Sequence, residues 1–391
     1  MTAMNTGGIL RIANIIEEGR VSGPQTRIAL VAAAARKYDI ETVVLLPERD
    51  SRDFRDNLKK LNLDYSEVLL HRFGRGIKTL FDYALHFVPD VTRLYRAIRR
   101  GGFDVVHVSG GARQFKGVIA GKMARIPVIW HLNDTRVEAA PIYPLFQLLK
   151  HLAAGFIITS TRVSGYYLRG KLSPGTPVFH IQAPVDTARF DPAIVKPDEQ
   201  ILSYPGIRIA AVSNISATKG IDILIEAADL LVRRNKRLSF IVIGQAFSTQ
   251  RRYAGQIRAM IEEKGLGGCF HFSGWKDNIP EVLRAADIFV CSSRHESGPM
   301  SVWEAMAMER PVVSTDVGDV ANYVRNGENG FVVPTENAAA MAEAIQRLID
   351  DPALRRDFGI QARQAALKQF DLEAIARQTA ECYKKISAIN K

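Results

Sequence analysis

Cysteine is scarce in this chain: three residues in 391, Cys269, Cys291 and Cys382, odd in number and far apart. That excludes a disulfide framework and a cysteine-borne metal site, and it points to a reducing cytosol. Long hydrophobic runs are absent too, none approaching the roughly 18–20 residues that cross a bilayer. The first twenty residues carry Glu17 and Glu18 and lack a basic start followed by an apolar block, so export is not expected. The eight histidines form no His-Glu-x-x-His or other paired metal-ligand spacing. No Gly-x-x-x-x-Gly-Lys-Ser/Thr loop occurs, no Gly-x-Gly-x-x-Gly follows the first strand, and no Gly-x-Ser-x-Gly elbow is visible. Nucleotidase, dinucleotide oxidoreductase and α/β-hydrolase chemistry are thereby disfavoured.

What remains is an ordinary globular composition, 47% apolar and 24% charged, too long for one ordinary core. The net charge of +11 is unevenly placed. Residues 1–190 hold 27 Lys+Arg against 16 Asp+Glu, while residues 191–391 balance at 25 of each. Such a basic half suits an anionic membrane, a lipid phosphate or another acidic partner. Nucleic acid is not expected, because no helix-turn-helix, zinc-finger or RNA-recognition signature accompanies the charge.

Strand and helix signals alternate along both halves. Strands are expected at 9–14, 42–46, 104–108, 127–131, 154–160 and 178–181, then at 208–212, 239–244, 270–273, 288–290 and 311–314. Helices are expected at 25–37 and 221–233, among others. This alternation predicts βαβ units and parallel sheets. The Pro- and charge-rich stretch Asp191 to Pro205 reads as a linker. Open α/β sheets bind ligands at strand carboxyl ends, so two such edges facing a central cleft would sandwich two substrates.

The most informative segment is Arg294-His-Glu296-Ser-Gly298-Pro299-Met-Ser-Val-Trp-Glu304. The apolar run before it reads as a buried strand. Ser297-Gly298 offer an N-cap, Pro299 suits the first helical position, and Met300 to Met308 is free of breakers. Glu296 then sits at a strand end, Glu304 about two turns into a helix, and free N–H groups with a positive helix end lie between them. A ligand with hydroxyls at both ends and a diphosphate in the middle matches that layout, as a nucleotide sugar does.

The Glu-x7-Glu, with Arg310-Pro-Val-Val, Asn326-Gly-Glu-Asn-Gly330 and Val212-Ser-Asn-Ile-Ser-Ala-Thr-Lys219-Gly220, resembles the retaining glycosyltransferases of family 4, group 1 type. The likeness extends over nearly the whole chain and is strongest in the C-terminal half. It implies a GT-B fold: two doubly wound Rossmann-like parallel-sheet domains facing a central cleft. Residues 1–190 would bind acceptor and 191–371 nucleotide sugar, with a helix at about 372–391 packing back on the first domain.

Roles follow position by position. The resemblance gives Glu296 the hydroxyls of the donor sugar, Glu304 the nucleotide ribose and Lys219 the diphosphate. Ser297, Gly298, Pro299, Met300 and Ser301 form the phosphate turn, and Gly244 and Trp275 wall the base. In the first domain it gives Gly23 the loop near donor phosphates and acceptor, and His131, followed by Asn133-Asp134, the cleft beside the transferred sugar. Gly110-Gly111 also matches a cleft position. His131, Lys219 and Glu296 are the expected catalytic residues. Plainer readings stand beside these: His131 as a structural histidine, Lys219 as an exposed helix-start lysine, Gly23 as a turn glycine, Trp275 as core packing, Glu304 as a solvated carboxylate and Glu296 as a partner of Arg294.

Departures from the family pattern are visible. Asn214 stands where an arginine is usual, so charge neutralisation would fall more heavily on Lys219 or borrow Arg294. Pro299 replaces a common glycine and removes one N–H. Asn322 occupies the place of a later glutamate. No Asp-x-Asp is present, which argues against a metal-dependent GT-A transferase, so no metal and no cofactor is expected.

The expectation is a retaining, metal-independent hexosyltransferase that moves sugar from a UDP- or GDP-sugar to a glycan or lipid-linked glycan in cell-surface polysaccharide or lipopolysaccharide biosynthesis. It would be cytoplasmic, peripheral on the inner face of the membrane. Lipid contact is expected through residues 71–88, with Phe73, Phe81, Tyr83 and Phe87 among basic residues. The helix from Asp90 to Arg100 reads as an ordinary packing helix or as a basic amphipathic one. Two other functions fit the same residues: a nucleotide-sugar 2-epimerase, and a non-catalytic carbohydrate-binding protein.

Overall fold

A computed structural model describes residues 8–73, 76–133, 142–234 and 237–389, so Asp134 lies outside the described residues. The chain forms two compact units, Met1–Pro184 joined by Leu372–Lys391, and Val185–Asp371.

The first unit is built on β1 (Leu10–Ile15), β2 (Ile40–Pro47), β3 (Asp64–Val68), β4 (Val105–Val108), β5 (Val128–Leu132), β6 (Gly155–Ile158) and β7 (Val178–His180). They pair in parallel in the order β3-β2-β1-β4-β5-β6-β7. Val-, Ile- and Leu-rich strands such as β4 and β5 are wholly buried, because helices cover both faces of a parallel sheet. One face packs the rings of Trp130, Phe115, Phe146 and Phe156 together. The other is closed by the helices Gly23–Ala35 and Leu372–Ala388, which bring Val31, Ile375, Tyr383 and Ile386 onto Ile12, Val105, Ile129 and Ile157.

The second unit holds β8 (Ile207–Val212), β9 (Leu238–Ile243), β10 (Phe270–Gly274), β11 (Ile288–Cys291), β12 (Val312–Thr315) and β13 (Gly330–Val333). Their order is β10-β9-β8-β11-β12-β13, again parallel. In each sheet the winding direction reverses once, between β1 and β4 and between β8 and β11. The carboxyl ends of those strand pairs are where open α/β sheets leave a crevice for ligand.

Two strands are not foreseen from sequence. β3 reads Asp-Tyr-Ser-Glu-Val and is a mostly exposed edge strand with no apolar run, and β13 is four residues opened by a glycine. The stretch 191–205 is part of the second unit and no free linker: it carries the Glu199–Ser203 helix, capped by Asp198, with Ile201 fully buried. In the Phe87–Gly101 helix Val91, Leu94 and Ile98 are buried, so this is a packing helix. Within 71–88 the described residues form a helix at Ile77–Leu85 and the start of the helix at Phe87. Tyr83 is buried and Phe73 and Phe87 pack inward, whereas Ile77 (90%), Phe81 (68%), Leu85 (63%) and Val88 (71%) are exposed.

Candidate active site

In the second unit the turn after β8 and the turn after β11 meet at the reversal point. Lys219 ends a short 3-10 turn, Ala217–Lys219, and its Nζ donates to Glu296 Oε1 at 2.5 Å. Burial works against the ammonium, but the Glu296 carboxylate outweighs it and leaves the Lys219 pKa above the ordinary lysine value. Ser293 Oγ donates to the same carboxylate oxygen at 2.8 Å, and Thr315 Oγ1 donates to the Ser293 carbonyl at 2.6 Å. Ser292 Oγ donates to the Lys219 carbonyl at 3.0 Å, and the Arg294 N–H to the Thr218 carbonyl at 2.8 Å. The two turns are thus sewn together, and Lys219 and Glu296 are held as a pair.

Arg294 has another task. Its guanidinium pairs with Asp222 at 2.6 Å and with Glu336, which raises its pKa further. It braces the loop and forms no pair with Glu296. Gly318 is a further brace that sequence reasoning passes over. With φ +54° it lies so close beneath the loop that a Cβ would come within 2.2 Å of the Ser297 carbonyl oxygen and 3.2 Å of that of Glu296. A glycine after β12 is the only sequence-level hint.

The helix after β11 is Met300–Ala307, and Pro299 is its N-cap, so the helix starts one position later than the spacing suggests. The Pro299 carbonyl accepts the Val302 N–H at 2.9 Å, which leaves the N–H groups of Met300 and Ser301 without intrahelical acceptors. Proline at the cap removes only the N–H of the cap residue and leaves those two donors in place. Ser297 and Gly298 form the bend before it. Glu304 follows Met300 by four residues, about 6 Å along the axis. Burial pushes its carboxyl up to about 7, only partly offset by the Arg189 charge. Glu304 is half-buried and not a fully solvated helix carboxylate.

Asn214 lies partly exposed after β8, beside Gly244, which follows β9. Gly244 has φ +142°, and a Cβ there would stand 2.1 Å from the Ser213 carbonyl oxygen. Its N–H donates to the Gly274 carbonyl at 2.8 Å, tying the ends of β9 and β10. Trp275, next along, is 56% exposed with its indole N–H on Asp277, so it is not core packing. Asn322 is exposed on a short helix, Val320–Tyr323.

In the first unit Gly23 opens the Gly23–Ala35 helix and is exposed. His131 is buried near the carboxyl end of β5, and its carbonyl accepts the Gly111 N–H at 3.1 Å. Gly110 and Gly111 follow β4 at positive φ. Burial, with help from the Arg27 charge, holds the His131 pKa well below the ordinary value, so the ring is neutral. Elsewhere in this unit Arg11, Arg93, Arg96 and Arg100 line a groove of about 730 Å³ that shares no residue with either candidate site. His71, Asp82 and His86 bring ligand-type atoms within 4.8 Å of one another. The two imidazoles are stacked, with centroids 3.8 Å apart and planes at 14°. A ring nitrogen binds metal in its own plane, so such a stack does not converge on one ion.

Two parallel-sheet units, each with a reversal-point crevice, one holding a Lys–Glu pair beside an open helix start, define the GT-B class of glycosyltransferase folds. Residues 200–365 match the glycosyl transferases group 1 family and residues 21–189 match glycosyltransferase family 4. The chain belongs to the group 1, family 4 glycosyltransferases. It is 31% identical over 177 residues to alpha-D-kanosaminyltransferase of Streptomyces kanamyceticus, covering 45% of each chain. It is 22% identical over 378 residues to the N,N'-diacetylbacillosaminyl-diphospho-undecaprenol alpha-1,3-N-acetylgalactosaminyltransferase of Campylobacter jejuni, covering 92% of this chain and 95% of that one. The structure of Anabaena HepE in complex with UDP and glucose superposes with a TM-score of 0.81 at 20% identity, over 96% of this chain and 99% of that one. The chain spans about half the length, or less, of several curated relatives that it matches at 28–31% identity.

Proposed function

We propose that this protein is a retaining, metal-independent hexosyltransferase that takes sugar from a UDP- or GDP-sugar and delivers it to a glycan or lipid-linked glycan in cell-surface polysaccharide or lipopolysaccharide biosynthesis. The observation that carries the reading is the Lys219–Glu296 pair at the β8/β11 reversal, beside the N–H groups of Met300 and Ser301, which have no intrahelical acceptor. An arriving diphosphate competes for the Lys219 ammonium and takes the helix N–H groups as donors. Glu296, released from the ammonium, accepts hydroxyls of the donor sugar, and Glu304 accepts those of the ribose. Gly244 and Trp275 lie beside the base in this reading. Residues up to Pro184, with Gly23 and His131, belong to the acceptor-binding unit.

In this reading Glu296 is taken up by the sugar hydroxyls, and no other side chain among the described residues of the second-unit site is assigned as a nucleophile. The reaction is therefore a displacement on one face of the sugar: the bond from anomeric carbon to phosphate oxygen breaks, and the acceptor oxygen bonds to the same face. The acceptor proton passes to the departing phosphate. Lys219 and the helix N–H groups stabilise the charge that develops there, which is the largest electrostatic contribution available without a metal ion.

Contact with an anionic bilayer is part of the proposal. Its support is the row of exposed Ile77, Phe81, Leu85 and Val88, in a half of the chain that carries all of the net positive charge. Among the described residues no helix is long and apolar enough to cross a membrane.

The test is transfer activity in Lys219→Met and Glu296→Gln, each expected to lose at least ~100-fold in kcat, with the wild type fully active in EDTA. Unchanged turnover in both variants overturns the site. A strict requirement for a divalent ion overturns the metal-free route.

A further inference from the structure

Behind His131 lies a chain of polar groups that the proposed reaction does not use. Asn14 on β1 and His107 on β4 are register partners, and His107 shares a sheet face with Ile129 and hence with His131, two residues on. That face is covered by the Leu372–Ala388 helix. From that helix the Tyr383 hydroxyl reaches His107 Nδ1 at 2.7 Å. His107 Nε2 stands 3.3 Å from His131 Nδ1. The amide nitrogen of Asn14 lies 3.5 Å from His107 Nδ1, while its oxygen accepts the Ser109 hydroxyl at 2.9 Å. His131 Nε2 is buried and has no partner among the described residues.

The donor inventory orders the protons along this chain. An amide nitrogen only donates, so His107 Nδ1 is the acceptor for Asn14 and for the Tyr383 hydroxyl. The single proton of a neutral His107 then sits on Nε2 and is donated to His131 Nδ1. That leaves the proton of His131 on Nε2, the nitrogen nothing else occupies. We propose that Tyr383 and His107 are positioning residues that fix His131 as a neutral Nε2–H donor toward an oxygen of the substrate. The proposal rests on the reading of His131 as a substrate-facing residue.

The surroundings keep the chain uncharged. Burial, then the Arg27 cation, lowers His107 to about 3. Around the two imidazoles stand Arg27 from the Gly23–Ala35 helix, Tyr383 from the Leu372–Ala388 helix and Asn14 from β1, with Cys382 near Arg27 and Tyr383 and Ser109 on Asn14. Burial raises the Cys382 thiol to about 12 and pushes Tyr383 upward, so neither ionises near neutrality. Arg27 stays protonated, since burial brings it down only to about 10. Around neutrality the neutral hydrogen-bond order is therefore the one present. His131 offers a hydrogen bond and does not serve as a proton source.

Nitrogen-15 NMR of histidine-labelled, full-length protein reads the tautomer directly. The wild type is expected to show His131 as the Nε2–H tautomer at pH 7. Tyr383→Phe removes the nearer donor, at 2.7 Å, and leaves only the 3.5 Å Asn14 contact to hold His107, so it is expected to give a tautomer mixture at His131. Its kcat should fall roughly tenfold, the factor that one ordinary hydrogen bond is worth, with KM for the donor within about twofold of wild type. His107→Gln presents an acceptor to Tyr383 and a donor to His131, and is expected to restore the Nε2–H tautomer and most of the rate, whereas His107→Leu does neither. A wild-type His131 protonated on Nδ1, or charged at pH 7, overturns the proposal even if every variant fails to fold. So does a Tyr383→Phe protein with an unchanged spectrum. Failure of the underlying reading shows separately, as full transfer by His131→Ala while the wild-type tautomer result stands.

Discussion

Glu304→Gln tests the nucleotide end of the site without any need for substrate turnover. In the folded chain burial raises the Glu304 carboxyl from 4.5 to about 7, so ionising it there costs more than in the unfolded chain. At about 1.4 kcal/mol per tenfold change in proton affinity, the cost approaches roughly 3 kcal/mol once the pH is well above 7. The sign follows from proton counting. Between pH 4.5 and about 7 the folded state holds a proton that the unfolded state has released, so stability falls as pH rises through that window. Below it the cost is absent, and above it the cost is full. Glutamine keeps the shape and cannot ionise. Scanning calorimetry should therefore show wild type and variant melting together near pH 4.5, with the variant pulling ahead to roughly 6–12 °C higher by pH 8, given the size of the second unit. UDP binding should move the opposite way: wild-type affinity gains on the variant as pH rises from 6 to 8, because the carboxylate is the better acceptor for ribose hydroxyls. A melting difference that is flat with pH, or a variant less stable than wild type at pH 8, refutes the reasoning.

Other outcomes follow from the same geometry. Gly318→Ala forces a Cβ against the Ser297 carbonyl in a left-handed backbone, so it should cost at least ~2 kcal/mol and lower the calorimetric Tm of the second unit; an unchanged Tm contradicts the close approach. Replacing Ile77 and Phe81 together by serine removes two exposed apolar side chains, each worth about 1.5–3 kcal/mol when buried. Co-sedimentation with vesicles containing anionic phospholipid should weaken by tenfold or more, while calorimetry shows the fold unharmed; equal sedimentation removes the helix Ile77–Leu85 from any membrane contact.

The doubly wound architecture is legible because parallel strands buried on both faces must be almost wholly apolar, as Asp104 to Val108, Ser239 to Ile243 and Asp287 to Cys291 are. β3 escapes for the converse reason: an edge strand with one wet side and a Glu and an Asp in five residues has no such signature. Positions of Lys219, Glu296 and Glu304 follow from strand ends and a helix start, both local signals. Their pairings do not. That Lys219 holds Glu296 while Arg294 turns to Asp222 and Glu336 depends on contacts between residues 42 to 77 positions apart, and no spacing rule reaches so far. The polar chain from Tyr383 to His131 spans still more, its tyrosine 276 positions from its first histidine. In the sequence His107 is only a polar residue inside an apolar strand. Trp275 shows the limit of composition: tryptophan is usually sheltered, yet this one stands at a strand end in solvent.

The second unit enters and leaves the first at neighbouring points. Val185 and Asp371 form a bridge, the Val185 N–H donates to the Phe370 carbonyl at 2.7 Å, and the Thr187 hydroxyl donates to Asp371. The second unit is thus an insertion with its ends tied, able to complete its own sheet from contiguous sequence. The first unit has all seven of its strands before the insertion but lacks part of their cover, because the Leu372–Ala388 helix that helps to close one sheet face follows the second unit. On a ribosome, which releases the chain from its N-terminus, the order of birth and the order of completion are therefore reversed. The half that begins first waits, with only the Gly23–Ala35 helix on that face and the share covered by Ile375, Tyr383 and Ile386 still open, until the inserted half has been made. Any stall within the inserted half leaves an open apolar sheet for a chaperone to shield.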